Sequence, residues 1–211
     1  MNISKLWYST NSSDWEDALD RYWDGGFIKE QNVELEESLN TLDLERLRSF
    51  SPQEWYDFLH DEYFRWKYTA PNRYATTTYH LKKYVLDQKL DSLDTIRQRL
   101  LSLDTDNIRM GLSTAKEIKG LGIAGASGLL SLMYPEHFGT VDQFAVGALA
   151  QIKKLPEASE VSKMDPNQLG LADGVLLNSI YTRKAKELNQ HFGSTEWTPR
   201  KLDMVLWVAG R

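Results

Sequence analysis

Helix start and stop signals punctuate this chain from end to end, and no run of alternating β-branched residues competes with them. Ser51-Pro52-Gln53-Glu54 combines a capping box with proline at the first helical position, and Trp55, Phe58, Leu59 and Trp66 follow at helical spacing. Thr198-Pro199 opens a last helix in the same way, with Leu202, Val205, Leu206 and Ala209 on one stripe and Gly210 behind them. Asp165-Pro166 predicts a short third case. Ser92 to Leu101 and Thr105 to Ile118 read as amphipathic helices, and Leu171 to Phe192 as a long one stopped by Gly193. The pattern dictates an all-α fold. With 211 residues, 41% of them apolar, and neither an internal repeat nor a low-complexity break, the sequence predicts one compact domain over 1–211.

The segment from Ile118 to Asp142, IKGLGIAGASGLLSLMYPEHFGTVD, interrupts this helical pattern with Gly120-Leu121-Gly122. Glycines at such a turn permit positive φ and let backbone approach a ligand phosphate closely, and the N-terminus of the helix that follows aims its amides at an anion. Asp142 stands twenty residues after Gly122, just before the apolar Phe144, Ala145 and Val146. Its plainest local role is a helix N-cap.

Gly120-Leu121-Gly122 with Ala126, then Tyr134-Pro135-Glu136-His137-Phe138-Gly139-Thr140-Val141-Asp142, resemble the hairpin, Gly/Pro loop and aspartate of helix-hairpin-helix DNA glycosylases. The resemblance is best over 118–150, where it looks like the adenine-glycosylase branch, and a weaker similarity to 8-oxoguanine-glycosylase-like proteins extends through WTPRKLDMVLWVAGR. It implies a compact helical domain whose residues 105–150 carry the hairpin and a catalytic Asp142. Such an enzyme flips a damaged or modified base out of DNA, while a carboxylate stabilises the oxocarbenium-like sugar or deprotonates the attacking water. By the same resemblance, Gly120, Gly122, Lys119 and Ala124 contact DNA, and the backbone at Gly120 and Gly122 frames a monovalent cation, K+ or Na+. Bifunctional members carry a nucleophilic lysine where this chain has Ala124, so a monofunctional, water-using glycosylase is implied. Lys116 and Lys119, close by, read as phosphate-facing or solvated. The alternative is a helix-hairpin-helix DNA-binding protein without catalysis.

A net charge of −5 opposes DNA binding at first sight, but its distribution does not. Residues 1–62 hold 15 acidic and 5 basic side chains, net −10, which leaves 15 acidic and 20 basic, net +5, in the part that carries the hairpin. The acidic N-terminal part reads as a solvated helical face. Residues 64–84 interleave basic and aromatic side chains, a composition suited to phosphate contact and base stacking. Arg73 and Lys67 are the candidate phosphate contacts there, Trp66 and Tyr68 with Phe144 the candidate base pocket, and the region of Asn72 the candidate wedge. Helical aromatics more often serve a core. Tyr181 to Lys186 forms a second basic patch, either a phosphate contact or a solvated face.

Zero cysteines exclude disulfides, thiol catalysis and a four-cysteine iron-sulfur cluster, and the four histidines show no metal-ligand spacing. His137 reads as structural within its loop. No cofactor is expected. No run of about eighteen apolar residues exists to cross a membrane. The polar start lacks a signal-peptide pattern, so a cytoplasmic monomer acting on DNA is expected.

Overall fold

A computed structural model describes all 211 residues, which form helices and connecting turns without a strand. The first part contains α1 (Ile3–Trp7), α2 (Ser12–Asp24), α3 (Val33–Asn40) and α4 (Leu44–Ser49). There follow α5 (Pro52–Asp57), α6 (Phe64–Lys67), α7 (Pro71–Leu86), α8 (Leu90–Leu101) and α9 (Ile108–Lys116). The remainder comprises α10 (Ile123–Met133), α11 (Gln143–Leu149), α12 (Ala158–Val161), α13 (Leu171–Phe192) and α14 (Pro199–Ala209).

Local chemistry explains most boundaries. Ser51 Oγ accepts the Glu54 amide at 3.2 Å while Glu54 Oε2 accepts the Ser51 amide at 2.7 Å, so the expected capping box opens α5. Thr198 caps α14 ahead of Pro199, and α13 ends at Gly193, whose φ of 63° needs glycine. Asp165-Pro166 opens no helix. Asp165 instead accepts the Asn167 amide at 2.9 Å in a turn, because only four residues separate Pro166 from the start of α13. Between α5 and α6, Phe58–Tyr63 forms a π-helical turn in which the Phe64 amide reaches back to Leu59 O. The expected helix is therefore continuous from Pro52 to Lys67 but widens in its middle, which shifts its register.

Two hydrophobic cores share the molecule. One joins α1 and α2 to α11, α13 and α14 around Trp15, Val146, Tyr181 and Leu206. The other gathers residues 39–138 around Trp55, Phe64, Leu100 and Leu130. The acidic residues 1–62 are consequently no separate unit, since their first two helices belong to the C-terminal core and the rest to the central one. A small cluster of Tyr22, Met204 and Val208 lies beside α14. No helix is long and apolar enough to cross a membrane.

Candidate active site

Three consecutive backbone amides near the end of the chain between α10 and α11 are held by side chains. The Gly139 amide donates to Asn178 Oδ1 at 2.9 Å, the Thr140 amide to Asp203 Oδ2 at 2.6 Å and the Val141 amide to Ser127 Oγ at 2.9 Å. Thr140 O accepts the Tyr181 hydroxyl at 3.2 Å. These partners come from α10, α13 and α14 and all are buried, so the loop has one conformation to offer. Asp142 follows it as the N-cap of α11, with Oδ1 accepting the amides of Phe144 at 3.0 Å and Ala145 at 3.1 Å. Its other oxygen accepts no hydrogen bond and lies 3.9 Å from Lys67 Nζ. The cap role thus fixes one carboxylate oxygen and aims the second.

Oδ2 faces a cavity of about 670 Å³, a size usual for ligand sites, bounded by both halves of the molecule. Of the residues singled out from sequence, Trp66, Lys67, Tyr68, Arg73, Gly122, Ala124, Asp142 and Phe144 line it, although they lie as far apart in the chain as 66 and 144. Gly120 and Lys119 do not. Gly120, at φ 99°, packs toward α7, where an added Cβ would stand 2.6 Å from Thr77 O. Lys119 pairs with Asp87 at 3.6 Å and covers the Tyr84 ring. Gly122 has φ −85°, so no left-handed backbone demands glycine there. A Cβ at Gly122 would meet nothing within 4 Å, so the position is open to a partner and caps α10 with no side chain of its own. The first-turn amides of α10 consequently keep their donors free. The carbonyls expected to frame a cation have protein partners: Gly120 O accepts the Tyr68 hydroxyl at 3.4 Å and Gly122 O the Ala126 amide at 2.8 Å.

The opposite wall is built from charge. On α6, after the π turn, Trp66 packs against the second core and with Lys67 lines the cavity. Trp66 Nε1 donates to Glu36 Oε2 at 2.6 Å, and Glu36 Oε1 accepts Arg200 at 3.2 Å and Asn40 at 2.8 Å. Arg200 also pairs with Asp203 Oδ1 at 2.9 Å and lies over the Trp66 ring. Burial pushes the Asp203 carboxyl up to about 6 against the opposing pull of Arg200. For Arg200, burial works against the charge, yet Asp203, Tyr22 and Glu36 hold it above the ordinary arginine range. Burial raises the phenols of Tyr22 and Tyr68.

Lys67 is the least satisfied member of this group. Its ammonium donates no hydrogen bond, its side chain retains 11% of its exposure, and its one carboxylate neighbour is Asp142 Oδ2 at 3.9 Å. Burial lowers its proton affinity by more than Asp142, Asp203 and Glu36 restore it, and Arg200 lowers it further. The sequence reads Lys67 as a phosphate contact; the fold places it indoors.

The rim is completed by Arg73, exposed in the first turn of α7, and by Arg211, whose guanidinium lies 3.8 Å from the Trp207 ring centre and 5.1 Å from that of Phe144. Asn72, the candidate wedge, is exposed in the same turn of α7. Elsewhere, the Tyr181–Lys186 patch is partly engaged within the protein, and Lys186 is exposed. Tyr181 is buried, Arg183 pairs with Glu157, and Lys184 sits over Trp7 and Trp15 while bonding Glu187. His137 lies 3.4 Å from Thr105 and 3.8 Å from Asp106, within its loop. No three His, Asp or Glu side chains converge as a metal cluster. No protein-family model, no curated protein and no solved structure matches the chain.

Proposed function

We propose that this protein is a DNA base-excision glycosylase that draws a damaged or modified nucleotide into the cavity and breaks its N-glycosidic bond beside Asp142. The observation that carries the reading is the division of labour at that carboxylate, one oxygen locked to α11 and the other presented to a roomy cavity. Breaking the bond develops positive charge on the deoxyribose, and a fixed anion stabilises that charge without reorganising. Trp66 and Phe144 supply aromatic faces for an extruded base, and Arg73 with the free amides at Gly122 supplies cationic and dipolar groups for the flanking phosphates. The N-cap geometry alone would serve a non-catalytic DNA-binding protein equally well. A cavity that gathers an anion, aromatic faces and cationic groups around that cap favours the enzyme.

Duplex oligonucleotides, each bearing an oxidised purine, an alkylated purine, a mismatched adenine or a hypermodified base, test the proposal through abasic sites revealed by alkali. One of them should release its base. Asp142→Asn keeps most of the cap and removes the charge, and should lower that release about 10²–10³-fold, ~2.7–4 kcal/mol of barrier, while DNA binding persists. Base release undiminished in a folded Asp142→Asn protein would overturn the assignment of Asp142, and DNA binding without release from any duplex would favour the non-catalytic reading.

A further inference from the structure

We propose that Lys67 is a covalent nucleophile at this site, so that the protein is a glycosylase with an abasic-site lyase activity although Ala124 stands where the resemblance would put a lysine. The inference rests on the glycosylase reading for its substrate but on different observations for its substance.

Three of them converge. Lys67 Nζ and Asp142 Oδ2 stand 3.9 Å apart at the cavity surface, so an anomeric carbon held against the carboxylate is also within reach of the amine. The small residues of α10 make the room. Ala124 and Gly128 share one face, and the Lys67 stem runs along it so closely that a Cβ at Gly128 would stand 3.2 Å from its Cδ. An amine delivered from α6 therefore reaches the same cavity that Ala124 lines. Lastly, no hydrogen bond engages the amine, whose nearest acceptor is Asp142 Oδ2 at 3.9 Å, and burial lowers its proton affinity, the direction that suits a nucleophile. The groups that face it are Asp142, Asp203 and Glu36, opposed by Arg200.

The chemistry balances with groups already present. The neutral Lys67 amine attacks C1′ as the C1′–N bond breaks, and the bond's electron pair leaves on the base, which takes a proton from solvent. Asp142 accepts a proton from the new C1′-bound ammonium. The C1′–O4′ bond then opens, O4′ takes that proton, and C1′ is left as an iminium on Lys67. Water takes a C2′ proton, the electron pair of that C–H bond forms the C2′–C3′ double bond, and the C3′–O bond breaks with its pair leaving on the 3′-phosphate. Water finally hydrolyses the imine and returns the amine. Asp142 thus shuttles one proton and closes the cycle as the carboxylate with which it began.

A duplex with a preformed aldehydic abasic site isolates this step from base removal. Incubated with the full-length protein and sodium borohydride, it should give a covalent adduct, and mass mapping should place the reduced linkage on Lys67. Lys67→Met should abolish the adduct. Lys67→Arg keeps a cation beside Asp142 but forms no imine, and should abolish it too while retaining the fold by circular dichroism. Should both variants fail to fold, the mapping of the wild-type adduct decides alone. Absence of any adduct, linkage to another amine, or an adduct persisting in Lys67→Arg overturns the proposal. Absence of trapping by the unmodified protein with its base release intact leaves the glycosylase reading standing and Lys67 refuted; trapping at Lys67 without release of any base does the reverse.

Discussion

The two walls of the cavity are stabilised by different physics. Asp142 stands on a loop whose amides are met by Asn178, Asp203 and Ser127, mostly neutral partners at 2.6–2.9 Å that act over short range. Facing it, Trp66 stands on α6 just after the π turn and bonds Glu36, which with Arg200 and Asp203 forms a set of buried ions that hold one another in place, and Lys67 stands next to Trp66. Neutral hydrogen bonds tolerate the loss of one member, whereas a buried ion stripped of its partner carries the full cost of its desolvation. The first wall therefore fixes position and the second fixes charge. Asp203 joins them, with one oxygen on the Thr140 amide and the other on Arg200.

The contrast predicts unequal damage. Arg200→Met should be the most harmful, because it leaves Glu36 and Asp203 buried and unpaired; a loss of about 3–5 kcal/mol is expected, read as a lower urea midpoint at unchanged slope. On the opposite wall, Asn178→Ala strands only the Gly139 amide, and about 1–3 kcal/mol is expected from the same measurement. Equal losses for the two would mean that the charged wall is wetter, and so more like the neutral one, than its burial implies.

Legibility in the sequence follows the same division. Asp142, Gly122 and Ala124 were readable because a turn, a helix start and a fixed spacing are local properties of one segment, and the fold keeps that segment intact at the cavity. Trp66, Tyr68 and Phe144 were readable as chemistry, and it took the tertiary fold to bring them to one site. Glu36 was not readable, since nothing in ELEESL distinguishes it from Glu34 or Glu37 until Trp66 and Arg200 approach from distant helices. Asp203 left a usable trace, a lone acid inside the apolar run from Leu202 to Ala209. Lys67 reads from the sequence as a phosphate contact because aromatic and basic residues alternate around it, and no helical periodicity foresees the change of register at the π turn before it. Gly120 and Gly122 looked equivalent, yet only Gly120 needs a left-handed backbone and only Gly122 is open to a partner.

The smallest expected effect separates the start of the Lys67 helix from its end. Ser51→Ala removes one half of the capping box and exposes an amide at the first turn of α5, which should cost about 1 kcal/mol and lower Tm by about 2–4 °C. Its consequence should stop there, because Trp55, Phe58, Leu59, Tyr63 and Phe64 anchor the run in the central core between the cap and the cavity. Fraying confined to the first turn leaves the π turn, and with it the distance from Lys67 to Asp142, as it was. Base release and borohydride trapping at 25 °C should accordingly match the unmodified protein. A fall in trapping that tracks the fall in Tm would show that the charged wall is held by the whole helical run and not by its buried ions, and the contrast between the walls would then have to be redrawn.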